Sequence, residues 1–321
     1  MLTTLYHIGS QAGKFMSDPT PDPNAIPGQR LILNPLLGET VVQTPGRMNR
    51  REGATACPFC ADIAAGLWPA GQATWVRPND FPPLRPPVGE CFVLLYAREH
   101  DLSFVDLGPE QLAAIVAMWQ TVYRDLSARY AGVMTFENAG AAIGQTQSHP
   151  HGQTYGISFL PPTIQREMAQ IIAVHEERGV CLLCEIVAQE SGGPRIVAET
   201  PHWLAFVPQW ARYPYEVQLA ARQHLPNIGA LPDDGAATRE LATLLHQIIA
   251  AYHTVFQAPM PYMLALHQLA DPRYHFHIDL LPMGRAPGKL KYAASSESAF
   301  GLWLNDAVPE IKAAELRAAL G

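Results

Sequence analysis

Read for hydrophobic periodicity, the chain becomes legible from residue 30 onward. RLILNPLLGETVVQT (30–44) sets two β-rich runs around the turn Asn34–Gly38, the pattern of a hairpin. Apolar runs near Trp75 and over Cys91–Tyr96 predict strands, with a Pro-rich loop between them. From about Glu110 to Tyr130 a helix is expected, because Leu112, Ile115, Val116 and Trp119 fall at helical spacing. A strand near Val133–Phe136 follows, then a loop with Gly140 and Gly144, then the apolar run Tyr155–Leu160, read as another strand. Thr163–Arg178 reads as a helix stopped at Gly179, and Ala236–Phe256 as a further long helix. Residues 1–29, rich in Pro, Asp, Gly and Ser and without periodicity, read as an arm or poorly ordered tail.

The pattern occurs twice. The C-x-x-C pair Cys57/Cys60 recurs as Cys181/Cys184, and His100 recurs as His224 at the same offset. Around those histidines VLLYAREH (93–100) matches VQLAARQH (217–224) at Val, Leu, Ala, Arg and His. His149 and His151 recur as His275 and His277 in YHFHIDLLP. Features repeated in one order at nearly constant spacing identify an internal duplication. The expected fold is α+β: tandem duplicated domains over 30–178 and 179–321, each a mostly antiparallel sheet with helices packed on it.

Composition sets the bounds. A chain of 321 residues is long enough for two domains with ample core. With 48% apolar and 16% charged residues and 29 prolines, it reads as a loop-rich α/β or α+β enzyme and not a helical bundle. No apolar run reaches the roughly 18 residues of a membrane span. The N-terminus lacks the basic start and apolar stretch of a signal peptide, so a cytoplasmic location is expected, with no membrane partner. A net charge of −7 disfavours nucleic acid as a partner, and an anionic substrate must be held by local donors. The basic stretch Arg47, Arg50, Arg51 reads either as a solvated loop or as a phosphate clamp.

Alone, CPFC could be a redox pair, two buried small side chains or half of a metal site. The repeat selects metal. Cys57, Cys60, His100 and His149 form a set of two thiolates and two imidazoles, and Cys181, Cys184, His224 and His275 reproduce it in order. Such a closed set is the structural zinc type, and soft donors select zinc over magnesium. Two structural zinc ions are expected.

The centre of interest is His149-Pro150-His151-Gly152-Gln153. Residues two apart on a strand face one way, so the two imidazoles and the amide are expected to project together. His151 is outside both metal sets. A neutral imidazole is a competent nucleophile near its unperturbed pKa of about 6.5, and on phosphorus it forms a phosphoramidate-type intermediate. Gln153 can donate its amide to a non-bridging phosphate oxygen as charge develops. His175, His202, His246 and His253 read as ordinary surface or core histidines.

HPHGQ, with FENAGAAIG, SFLPP, CPFC and PHWLAFVPQWARYPYE, resembles the galactose-1-phosphate uridylyltransferases of the histidine triad superfamily, over about residues 30–317. The resemblance implies a ping-pong reaction: UDP-glucose uridylylates the histidine and releases glucose 1-phosphate, and galactose 1-phosphate then takes the uridylyl group to give UDP-galactose. It implies that His151 is the nucleophile and Gln153 the phosphate-binding amide. Asn138, Gly140, Gln145 and Thr146 match the loop near the nucleotide phosphates, and Asn79 and Asp80 the uridine contacts. Arg47 and Arg50 match arginines that reach the active site of a homodimer, with sites near the subunit interface. Lys291, Tyr292 and Glu297 in KYAASSES (291–298) match the sugar-binding loop.

There are departures. Ser295 stands where the sugar loop commonly has Gly, and Trp303 where some members have Gln. Some members bind a second metal through a Glu and several His; Glu167, His267 and His277 match, but Asp279 replaces one histidine, and the duplicated Cys2His2 sets are preferred. The nearest triad hydrolases have a third histidine where Gln153 stands, so its absence fits transfer over hydrolysis. The sibling alternative is an enzyme like ADP-glucose phosphorylase, which moves AMP and has two such zinc sites. Its motif carries Ser where Pro150 and Gly152 stand, which favours the uridylyltransferase. A non-catalytic, zinc-stapled nucleotide-binding protein is the reading from another class, and the intact His151 and Gln153 count against it.

Overall fold

A computed structural model of the chain describes residues 29–44, 56–232 and 235–320. The predicted arm (1–28 of it) and Arg47, Arg50 and Arg51 lie outside the described residues. The predicted hairpin is present: β1 (Arg30–Asn34) pairs antiparallel with β2 (Glu39–Gln43), Arg30 opposite Gln43.

The first copy runs α1 (Pro58–Ala64), β3 (Trp75–Pro78), β4 (Gly89–Leu95), α2 (Pro109–Ser127), β5 (Gly132–Ala139), β6 (His151–Ile157) and α3 (Pro162–Arg178). The second runs α4 (Leu182–Glu190), β7 (Ile196–Glu199), β8 (Trp203–Phe206), β9 (Val217–Ala221), α5 (Ala236–Phe256), β10 (Tyr262–His267) and β11 (His277–Pro282). A ribbon of β12 (Gly284–Ala286) and β13 (Lys289–Leu290), then α6 (Ser295–Phe300) and α7 (Pro309–Ala319), completes the chain. Helix α2 starts with Pro109 inside its first turn, where proline is pre-organised. Helix α3 ends at Gly179, whose φ of +69° is a left-handed cap that glycine adopts without strain.

The two copies do not build two sheets. Their strands form one nine-stranded sheet in the order β3-β4-β6-β5-β10-β11-β9-β8-β7, every neighbour antiparallel. Around the central β5–β10 pair the order is mirrored: β6 and β4 on one side answer β11 and β9 on the other. Tyr262 faces Ala139 and Leu266 faces Thr135 across that joint.

Alternation along the strands assigns the two faces. Leu94, Trp203, Leu219 and Ile278 point to α2 and α5, in one core with Ile115, Trp119, Leu245 and Ile248. On the other face Val93 and Leu95 pack on Phe59 of α1, while Leu204, Phe206 and Ala220 pack on Leu183 and Val187 of α4. The strand predicted to carry HPHGQ and the apolar run Tyr155–Leu160 is present as β6, which begins at His151, leaves His149 and Pro150 just outside it, and ends at Ile157.

Trp203 is fully buried, donates its indole N–H to the Ala237 carbonyl at 2.8 Å and meets Phe276 edge-on. Replacing Trp203 with Ala empties the contact between the sheet and α5. A loss of about 3–5 kcal/mol in unfolding free energy is expected in urea titrations.

Candidate active site and metal centres

Each C-x-x-C sits at the start of a short helix, Cys57 and Cys181 being the N-cap residues of α1 and α4. Cys60 Sγ lies 3.3 Å from His100 Nδ1 and 3.6 Å from His149 Nδ1. In the second copy Cys184 Sγ lies 3.6 Å from His224 Nδ1 and 3.4 Å from His275 Nδ1. In both sets the four ligand atoms lie within 4.8 Å of one another.

The remaining ring nitrogens are tied down. His149 Nε2–H donates to the Ala97 carbonyl at 2.9 Å and His275 Nε2–H to that of Ala221 at 2.8 Å. His100 does the same to Ser148 Oγ and His224 to the Pro272 carbonyl. These bonds fix the tautomer that leaves the Nδ1 lone pairs toward the sulfurs, the usual outer-shell device of metal histidines. Burial holds His149 below the ordinary imidazole range and lowers His275 to about 4, so both are neutral and able to ligate. Burial and the neighbouring Cys181 push the Cys184 thiol up to about 12; two thiolates there require a cation. Each cluster fits a tetrahedral metal.

His149 precedes β6 and faces its metal cluster, whereas His151 and Gln153 lie on the strand and share a face. His151 Nδ1–H donates to the His149 carbonyl at 2.7 Å, which assigns the basic lone pair to Nε2. The Phe59 ring packs against both imidazoles, at 5.7 and 5.5 Å between centroids. Tyr155, two residues beyond Gln153, donates its hydroxyl to Gln153 Oε1 at 2.7 Å and so turns the amide N–H groups outward. Phe59 and Tyr155 escaped the sequence reading; for the latter the available signal was its place two residues after Gln153, on the same face of the strand.

Phe136 stands opposite Gln153, and Asn138, two residues on, shares its face. Gly140 has φ +105°, and a Cβ there would come within 2.9 Å of Pro261, so only glycine fits this turn. The Gln145 side chain accepts from the Gly140 N–H at 2.6 Å, bracing the loop from within. His151, Gly140, Gln145 and Ser148 line a cavity of about 210 Å³ whose far wall includes Glu137 and Tyr262. Thr146 lies in the same loop.

Asn79 follows β3; its N–H donates to the Cys91 carbonyl and its side chain accepts from Phe81 N–H. Cys91 pairs with Tyr155 and Leu95 with His151, so Asn79 is offset from His151 by four strand positions, roughly 13 Å, along the sheet and by two strands, roughly 10 Å, across it. Asp80 forms a two-bond pair with Arg77, which also holds Asp62 of α1. The sugar-loop residues are elsewhere. Lys291 Nζ donates to the Arg212 carbonyl at 2.8 Å, and Glu297, lowered to about 2 by its Ser296 hydrogen bond, caps its own helix. Tyr292 is exposed. None of the three lines the cavity at His151.

In the second copy His277 Nδ1–H donates to the His275 carbonyl at 3.1 Å, repeating the His151 tether. Its surroundings differ. Asp279, in the place of Gln153, pairs with Arg212 at 2.7 Å and accepts from Gln218. His267 bridges two carboxylates, Nδ1 to Glu167 at 2.9 Å and Nε2 to Asp279 at 3.5 Å. Glu167, His267 and His277 offer ligand atoms close enough for a metal, and they are distinct from the Cys2His2 residues, so the two arrangements coexist. As folded here, ion pairs close the cluster. Burial alone would lower His267, but the Asp279 charge and the Glu167 hydrogen bond raise it to about 9.

The fold and site define a class: an α+β enzyme in which a doubled Cys2His2 frame surrounds a single histidine–glutamine strand. The chain matches the galactose-1-phosphate uridyl transferase N-terminal domain over residues 71–161 and the C-terminal domain of that family over 167–286. It is 32% identical to a galactose-1-phosphate uridylyltransferase of Thermotoga maritima, across 89% of this chain and 97% of that one. Identity to the Streptomyces lividans enzyme of that name is 31%, across 86% and 75%. A solved uridylyltransferase superimposes with a TM-score of 0.82 at 28% identity, covering 91% of this chain and 98% of its own. An Arabidopsis thaliana ADP-glucose phosphorylase shares the fold, TM-score 0.71 at 21% identity, over 91% and 98%. The chain belongs to the galactose-1-phosphate uridyl transferase family.

Elemental analysis of freshly purified protein is expected to find about two equivalents of metal per chain, and Cys184→Ala to lose one of them. A pH dependence follows from His267. Its folded value of about 9 exceeds the unfolded 6.5, so its contribution to stability is complete below about pH 6.5 and is lost as pH rises through 9. Urea midpoints of wild type and His267→Gln are expected to differ most at pH 6 and to converge above pH 9.

Proposed function

We propose that the chain moves UMP from UDP-glucose to galactose 1-phosphate through a uridylyl-His151 intermediate. The observation that carries this is the tether of His151 Nδ1–H on the His149 carbonyl, which gives Nε2 the lone pair. Nε2 attacks the α-phosphorus; the new P–N bond forms as the bond to the bridging oxygen breaks, and glucose 1-phosphate leaves with that electron pair. No proton needs to move. The ring becomes a cation whose Nδ1–H points at the carbonyl dipole, and the outward amide of Gln153 donates to a non-bridging oxygen. A phosphate oxygen of galactose 1-phosphate then attacks the same phosphorus, UDP-galactose forms, and the neutral imidazole returns.

Asn138 and the Gly140–Thr146 loop flank the phosphates, and Asn79 and Asp80 contact the uridine. Zinc occupies both Cys2His2 sets in a structural role: four protein ligands leave no open coordination position, so the ion would supply rigidity around His149 and not chemistry. The working form is a homodimer. Phe300, Leu302, Leu304, Val308 and Ile311 are exposed beside the 291–297 loop, an apolar stretch suited to burial against a second copy. That copy would bring Lys291, Tyr292 and Glu297, with Arg47 and Arg50, to the sugar phosphate. No helix among the described residues is long and apolar enough to cross a membrane, and the cysteine–metal chemistry fits the cytoplasm.

Intact mass after incubation with UDP-glucose tests the reading: a UMP adduct is expected on wild type and none on His151→Ala. An AMP adduct from ADP-glucose, with no UMP adduct, would select the sibling activity instead. Gln153→Ala is expected to slow adduct formation by about 10²–10³-fold, the range for loss of one donor to a developing oxyanion.

A further inference from the structure

Behind the nucleophile, on the face of the sheet that carries α2 and α5, lies a polar cluster that the reaction above does not use. Phe136 pairs with Gln153, which sets Glu137 level with Gly152 and on the opposite face from His151. Glu137 is buried, and so are Tyr96 and Tyr262 beside it. Tyr262 donates its hydroxyl to Glu137 Oε1 at 2.7 Å, while Oε2 has no hydrogen-bond partner. The Tyr96 phenol is close enough to act on the titration of the same carboxyl, without a well-formed hydrogen bond to Oε2.

The contact with the catalytic strand is close. A Cβ at Gly152 would stand 2.2 Å from Tyr96 Oη and 3.0 Å from its Cζ, so the phenol is pressed against the backbone next to His151. Tyr96 follows β4, Gly152 is on β6, Glu137 on β5 and Tyr262 on β10. Side chains from four neighbouring strands meet here on the diagonal, since Tyr262 lies opposite Ala139 and Tyr96 beside Pro150, each two positions from the Glu137–Gly152 level.

For stability alone this is a poor choice. Burial pushes the Glu137 carboxyl up to about 7, with the two phenols drawing it partway back. A buried polar atom without a partner costs about 1–3 kcal/mol, and apolar side chains of similar volume commonly replace such clusters at no loss. What the cluster supplies is fixed geometry one residue from the attacking imidazole, where a displacement of about 1 Å is worth about 100-fold in rate.

We propose that Glu137 is a positioning residue: with Tyr262 and Tyr96 it forms a polar crossbar beneath Gly152 that holds β6, and through it the attack line of His151 Nε2. The proposal rests on the uridylyl-histidine reading. It assigns a reason to the glycine of HPHGQ, which leaves space for the phenol.

Single-turnover uridylylation by UDP-glucose, with metal content and thermal midpoint measured in parallel, tests it. Glu137→Gln keeps an acceptor for Tyr262 and is expected to react within about threefold of wild type. Glu137→Leu removes the crossbar and is expected to react at least about tenfold more slowly, with metal content, thermal midpoint and KM for UDP-glucose little changed. If Glu137→Leu does not fold, Tyr262→Phe is expected to give the same split of lowered kcat at unchanged KM. A wild-type rate in Glu137→Leu or Tyr262→Phe overturns the crossbar, as does equal loss in the Leu and Gln variants, or loss that only parallels a fall in thermal midpoint or metal content. A wild type that forms no UMP adduct overturns the underlying reading and the crossbar together.

Discussion

An imidazole has two nitrogens, and this molecule uses one of them to decide what the other can do. His149 and His275 give Nε2–H to the Ala97 and Ala221 carbonyls and turn Nδ1 to sulfur; His151 and His277 give Nδ1–H to the carbonyl of the histidine two residues before and keep the lone pair on Nε2. The two pairs are separated by only two residues, yet their basic lone pairs sit on opposite nitrogens. Backbone carbonyls held by the packed fold are fixed acceptors, so tautomer and ring orientation are set by the fold and not by the chemistry in progress. The two Cys2His2 clusters, His151 and its second-copy counterpart His277 all depend on that arrangement.

The two copies of the motif, HPHGQ and HFHID, differ at three positions, and the last of them changes the charge. Gln153 is neutral and leaves room beside His151 for an anion. Asp279 brings a charge that Arg212 and His267 answer, and the equivalent space fills with ion pairs. Like-charged substrate phosphates would meet Asp279 and Glu167 there, so the second copy is unsuited to the chemistry of the first while retaining its frame.

Much of this was legible in the residues. Helices α2, α3 and α5 were visible because each has an apolar stripe and two of them start or stop at Pro or Gly. The metal ligands were visible because they occur twice in one order. The end of β6 was not, since the apolar run continues to Leu160 while the strand stops at Ile157. The crossbar was not either, because Tyr262 and Glu137 are 125 residues apart and no local pattern links them. Nor did periodicity predict that two copies would share one sheet: which edge meets which is a property of register between distant strands, and strand patterning specifies only faces.

The β5–β10 joint ties the fate of the two copies together. Cut there, either half would present a bare strand edge with a row of unanswered amides and carbonyls, the surface on which chains stick to one another. Glu137 would also lose Tyr262, its partner across the seam. The two copies are therefore bound into one structural unit, and His151 shares its sheet with every strand of the second copy.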